Sequence, residues 1–108
     1  MIYELRVYEA VPGRLPDVLA RFKNHTVPIW ASMGIEPVGF WTTQIGSSNN
    51  SLYYMLRWKS LAARETLWAK FAKSPEYAKA KADSEANGQI VASVCNQILS
   101  PTAFSKLN

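Results

Sequence analysis

Apolar and polar positions alternate along Tyr3-Glu4-Leu5-Arg6-Val7-Tyr8, the two-residue period of a half-buried strand. A strand is predicted over residues 2–10, with Tyr3, Leu5 and Val7 on one face and Ile2, Glu4, Arg6 and Tyr8 on the other. Pro12-Gly13 marks a turn. Across residues 14–33 the period changes, with Leu15, Val18, Leu19, Phe22, Ile29 and Met33 recurring at helical spacing before Gly34, a left-handed helix stop. Pro28 lies inside this helix, where it removes one backbone bond and crowds the carbonyl of Asn24. A kink or break is therefore expected near residues 25–27. Alternation returns over 36–45 and 51–58, joined by Gly46-Ser47-Ser48-Asn49-Asn50. Ser60 can cap a helix of 61–73, and Ser74-Pro75-Glu76 restarts a helix that fades at Asn87-Gly88. A last strand, 89–99, precedes a tail that contains Pro101.

The order βαββαβ predicts an α+β, ferredoxin-like arrangement: an antiparallel sheet with helices on one face. Strand three divides into Leu52, Tyr54, Leu56 and Trp58, expected under the helices, and Tyr53, Met55 and Arg57 opposite. Strand two divides into Val38 and Phe40 against Gly39, Trp41 and Thr43. If the charged side of strand one joins the uncovered face, that face collects Ile2, Tyr8, Trp41, Tyr53 and Met55 around Glu4, Arg6 and Arg57. So much aromatic surface on a small domain calls for a cover. A second subunit and a nucleic acid are the two candidates.

The 108 residues make one domain, residues 1–108, and 48% hydrophobic content excludes disorder. No apolar run could span a membrane, and a strand that starts at Ile2 leaves no room for a leader peptide, so a cytoplasmic address is expected. Much of the net charge of +4 comes from Lys70, Lys73, Lys79 and Lys81 in one helical region, read as a solvated helix face. Cys95 is the only cysteine and sits in the apolar run 90–99, the setting of a buried small hydrophobe. His25 is the only histidine, so zinc hydrolysis and Ser-His-Asp chemistry lack parts. No metal cluster, nucleotide loop or flavin fingerprint is present, and no cofactor is expected.

The chain resembles bacterial members of the NIPSNAP family, within the dimeric α+β barrel superfamily. The resemblance is carried by Met1-Ile2-Tyr3-Glu4-Leu5-Arg6-Val7-Tyr8, by Pro12-Gly13-Arg14-Leu15 and by Val38-Gly39-Phe40-Trp41-Thr42-Thr43-Gln44-Ile45-Gly46. Ser60-Leu61-Ala62, Ser74-Pro75-Glu76-Tyr77 and Ile98-Leu99-Ser100-Pro101-Thr102-Ala103-Phe104-Ser105 continue it in order. Gln44 stands where an acid is common, and Tyr54 lies near a strand position often held by histidine, so no catalytic histidine is carried to that strand. The resemblance implies a homodimer in which two sheets face one another around a barrel.

On that arrangement the cavity wall would contain Glu4, Arg6, Tyr8, Trp41, Thr43, Tyr53, Met55 and Arg57. Arginines among aromatic rings suit a carboxylate or a phenolate-like oxygen. The bland alternative is that Glu4 neutralises Arg6 or Arg57 at a dimer seam. His25 falls one turn after Phe22 and one before Ile29, on or beside the stripe facing the sheet. There it is either a packing residue or, if the Pro28 kink turns it to a pocket mouth, a base. Two functions stay open: binding of a small, partly apolar or aromatic ligand, with cofactor-independent oxygenase- or isomerase-type chemistry by analogy, and a non-catalytic protein-interaction module. A nucleic-acid partner is disfavoured, because Leu52-Tyr53-Tyr54-Met55-Leu56-Arg57-Trp58 lacks the basic-glycine-aromatic pattern of RNA-binding sheets. No membrane partner is expected.

Overall fold

The computed structural model describes residues 1–108. Strand β1 (Ile2–Ala10) leads into helix α1 (Leu15–Arg21), a π turn over Phe22–Thr26, and helix α2 (Val27–Met33). Strands β2 (Glu36–Thr42) and β3 (Ser51–Trp58) follow, then helices α3 (Leu61–Ala72) and α4 (Pro75–Ser84) and strand β4 (Val91–Leu99). The sheet order is β2-β3-β1-β4 with every neighbouring pair antiparallel. This is the expected ferredoxin-like α+β arrangement, with β3 and β1 central and β2 and β4 at the edges.

The expected irregularity near Pro28 is present as the π turn. Proline has no N–H for the carbonyl of Asn24, and the preceding turn closes instead through Val27 N–H to Phe22 O, an i→i−5 bond. Such a turn holds one more residue than an α turn, so the buried stripe advances by one position. Phe22, Thr26, Ile29 and Trp30 point inward, and His25 is exposed. The expectation that His25 lies on the sheet-facing stripe is thereby corrected. Gly34 ends α2 at φ 79°, the left-handed conformation that L side chains rarely adopt. The Ser60 and Ser74 hydroxyls accept from the N–H groups of Ala63 and Tyr77, 3.1 and 3.2 Å away, capping α3 and α4.

The core lies between the sheet and the helices. Leu52, Tyr54, Leu56 and Trp58 of β3 meet Val18, Phe22, Ile29 and Trp30, with Phe71 of α3 completing it. The register of β1 against β3 corrects one face assignment. Ile2, Glu4, Arg6 and Tyr8 lie opposite Trp58, Leu56, Tyr54 and Leu52, and so face the helices. The face away from the helices, uncovered except where the C-terminal tail borders the buried Tyr3, carries Tyr3, Leu5 and Val7 beside Arg57, Met55 and Tyr53. Residues paired across an antiparallel ladder share a face, so β1 is turned over relative to expectation. β2 ends three residues earlier than expected, leaving Thr43 in the loop. Cys95 is exposed on edge strand β4 rather than buried. No helix is long and apolar enough to cross a membrane.

Candidate functional site

The inverted face of β1 places a carboxylate in the interior and surrounds it with donors. Glu4 is fully buried. It accepts from Arg64 Nε and Nη2 at 2.7 and 3.0 Å, Arg6 Nη1 at 2.9 Å, Asn96 Nδ2 at 2.9 Å and Trp58 Nε1 at 3.1 Å. These donors come from α3, β1, β4 and β3. Burial alone would push the carboxyl toward protonation, but the hydrogen bonds from Arg64, Asn96 and Arg6, with the Arg6 charge, reverse the effect and hold its pKa at about 2. Glu4 is therefore an anion whose lone pairs are engaged, a structural counter-ion and a poor base.

Arg6 is held on one side and open on the other. Its Nε donates to the Tyr54 hydroxyl at 2.7 Å and its Nη1 to Glu4, and the Tyr8 hydroxyl is a further side-chain partner of the guanidinium. The guanidinium carbon stands 4.6 Å from the Trp68 ring centroid, 5.9 Å from that of Tyr8 and 6.0 Å from that of Tyr54. Cation–π attraction and the two hydrogen bonds fix its plane. The side chain remains 11% exposed. Burial, reinforced by the neighbouring Tyr8, raises the Tyr54 pKa well above the ordinary phenol value despite the opposing Arg6 charge. Tyr54 thus stays a phenol that accepts from Arg6, with Tyr8 as its other side-chain partner. The rings of Phe22, Trp30 and Trp68 surround this cluster, and the Trp30 indole N–H is buried without a partner.

Tyr8 also borders an open cleft of about 410 Å³ where α1 and α4 meet β4, together with Arg21, Tyr77, Lys81, Glu85 and Val94. Arg21 is 3% exposed. It was not anticipated as a functional residue, although its place three residues after Val18 puts a charge on the core stripe, the one signal that could have found it. Its Nη1 reaches Ser84 Oγ at 3.2 Å and Glu85 Oε1 at 3.4 Å, and its Nε is buried with no partner.

The remaining expected site residues lie elsewhere. Trp41, Tyr53 and Arg57 share the uncovered face with Met55. The Trp41 indole folds back over Gly39, whose α-carbon would place a Cβ 2.8 Å from the ring. Arg57 reaches Glu36 at 3.6 Å and the carbonyl of Asn108 at 3.4 Å. Thr43 is beyond the sheet, and its hydroxyl is buried without a partner. His25 lines a groove of about 380 Å³ on the outer side of the helices with Asn24, Glu76, Lys79 and Asp83. The sheet and the helix layer therefore divide the expected set: Glu4, Arg6 and Tyr8 meet, whereas Trp41, Tyr53 and Arg57 form a separate surface and His25 joins neither. No group of three or more His, Cys, Asp or Glu side chains could hold a metal ion.

The NIPSNAP family model matches residues 3–106. A NIPSNAP family protein from Agrobacterium tumefaciens superposes with a TM-score of 0.88 at 25% identity, over 99% of this chain and 98% of that one. An uncharacterised NIPSNAP domain protein from Burkholderia xenovorans gives 0.84 at 20% identity, over 97% and 98%. A putative antibiotic biosynthesis monooxygenase from Chloroflexus aurantiacus gives 0.60 at 15% identity over the full length of both chains, a likeness of fold. Among curated proteins no sequence matches.

Proposed function

The chain belongs to the NIPSNAP family, and on that footing we propose that it is a homodimer that binds a small, partly aromatic ligand through an anionic or carbonyl oxygen at Arg6. The observation that carries this reading is the partly exposed Arg6 guanidinium, boxed by Tyr8, Tyr54 and Trp68 with more N–H donors than these neighbours use. A planar cation with a spare donor among rings favours a flat ligand with an oxygen at its edge. The seat lies between helices and sheet, not between two sheets as the sequence suggested. The homodimer rests on the opposite face, where Leu5, Val7, Tyr53, Met55 and the 52% exposed Trp41 form an apolar surface suited to a second copy.

Arg6 and the protonated Tyr54 can stabilise negative charge on an enolate or phenolate oxygen, the demand of cofactor-independent oxygenase- or isomerase-type chemistry. A general base is not beside them: Glu4 is saturated and His25 is on the far side of the helices. The chemistry this geometry suits is therefore that of a substrate acidic enough to ionise by itself. The Chloroflexus aurantiacus protein lends fold-level analogy only.

Native mass spectrometry of gently purified protein, compared with Arg6→Met, tests the reading. A dimer carrying a small non-covalent mass that the variant loses is expected. A monomer refutes the dimer, and an adduct retained by Arg6→Met refutes the seat. The second reading, a protein-interaction module, is favoured by Ile45 and Phe104, 96% and 89% exposed. Under it, a captured partner protein is lost on Ile45→Ser or Phe104→Ser while Arg6→Met leaves it bound.

A further inference from the structure

We propose that the cleft beside β4 is an anion subsite anchored by Arg21, and that the ligand is accordingly an aromatic carboxylic acid; this rests on the reading of Arg6 as the ligand's other anchor. The buried cation Arg21 and the buried anion Glu4 are treated very unequally. Glu4 receives five donors. Arg21, equally enclosed, has one hydroxyl and one carboxylate, at 3.2 and 3.4 Å, both from one nitrogen. Its Nε is buried without an acceptor, and its Nη2 makes no hydrogen bond. A guanidinium withdrawn from water gains by finding a close carboxylate, and here the one available belongs to a partly exposed residue held at the long limit of contact.

The surroundings suit an incoming acid. Lys81 adds a second cation to the cleft, against the single carboxylate of Glu85. Tyr8 and Tyr77 supply aromatic walls, and Val94 an apolar one. Tyr8 is also a wall of the Arg6 cluster, so one ring adjoins both cations. At about 410 Å³ the cleft falls within the roughly 300–1,000 Å³ of small-molecule sites. An aromatic acid can place its ring along Tyr8 and Tyr77, its carboxylate on Arg21 in competition with Glu85, and a ring oxygen toward Arg6.

Titration calorimetry of the intact protein with 6-hydroxy-2-naphthoate and 2-naphthol tests this, since the probes share the ring hydroxyl and differ in the carboxylate. The acid should bind about tenfold more tightly, the increment of one charge-assisted hydrogen bond. Arg21→Gln should bring the two affinities together. Because that residue is buried, its thermal melt is checked, and Glu85→Gln provides a second, partly exposed test: removal of the competing carboxylate should raise the acid's affinity at least about threefold relative to the naphthol. Equal affinities in the wild type, an acid preference that survives Arg21→Gln, or no gain in Glu85→Gln overturns the subsite. Naphthol binding lost on Arg6→Met keeps the Arg6 seat whichever way the subsite falls. Failure of the wild type to bind either probe overturns both readings.

Discussion

Glu4→Gln keeps the shape of the buried side chain and removes its charge, leaving Arg6 and Arg64 without their counter-ion. The magnitude follows from the carboxyl's pKa, about 2 against an ordinary 4.5. At ~1.36 kcal/mol per pH unit, that difference means the ionised form contributes about 3 kcal/mol to stability. Loss of one partner from a buried ion pair elsewhere costs about 3–5 kcal/mol. The sign is specific: a depressed carboxylate stabilises the fold fully above pH 4.5, and the contribution drains away as pH falls toward 2. Glutamine resembles the protonated acid, so wild type and variant should differ by about 3 kcal/mol at pH 7 and converge through that window. Urea denaturation at fixed protein concentration, followed by tryptophan fluorescence at a series of pH values, measures the difference. A gap under about 1 kcal/mol at pH 7, the worth of an ordinary hydrogen bond, refutes the account. So does a gap that stays constant with pH.

Other outcomes follow from local geometry. Ser74→Ala removes the hydroxyl that accepts from Tyr77 N–H, and should cost about 1 kcal/mol in a denaturant titration. Gly34→Ala forces a Cβ into a left-handed residue and should cost roughly 1–2 kcal/mol by the same method. Gly39→Ala would set a methyl 2.8 Å from the Trp41 ring and lift it from the uncovered face. The proposed dimer should then dissociate at lower dilution in sedimentation velocity, with little change in far-ultraviolet dichroism; unchanged association would sever Trp41 from the interface.

The element order, the broken first helix and both serine caps were legible in the chain, because period, proline chemistry and capping act within a few residues. The faces of β3 were legible too, since Leu52, Tyr54, Leu56 and Trp58 outweigh their neighbours in apolar bulk. β1 defeated the same reasoning. Tyr3, Leu5 and Val7 are the more apolar set, and a strand carrying Glu4 and Arg6 on one side normally turns that side outward. Here the polar side is inward because Trp58, Arg64 and Asn96, which lie 54, 60 and 92 residues away, converge on Glu4.

By itself, then, the sequence determined the secondary structure, the α+β topology and the family resemblance, all of which rest on short-range periodicity and on ordered motifs. Tertiary structure alone decided which of the charged residues share a space. It joined Glu4, Arg6 and Tyr8 to Tyr54 and Trp68, left Trp41, Tyr53 and Arg57 on the opposite side of the sheet, and sent His25 to the outer surface through one extra residue in a π turn. The physical reason is that desolvation penalises a buried charge only in proportion to the donors it fails to find. Those donors are fixed by strand register and helix packing, not by the identity of neighbours along the chain.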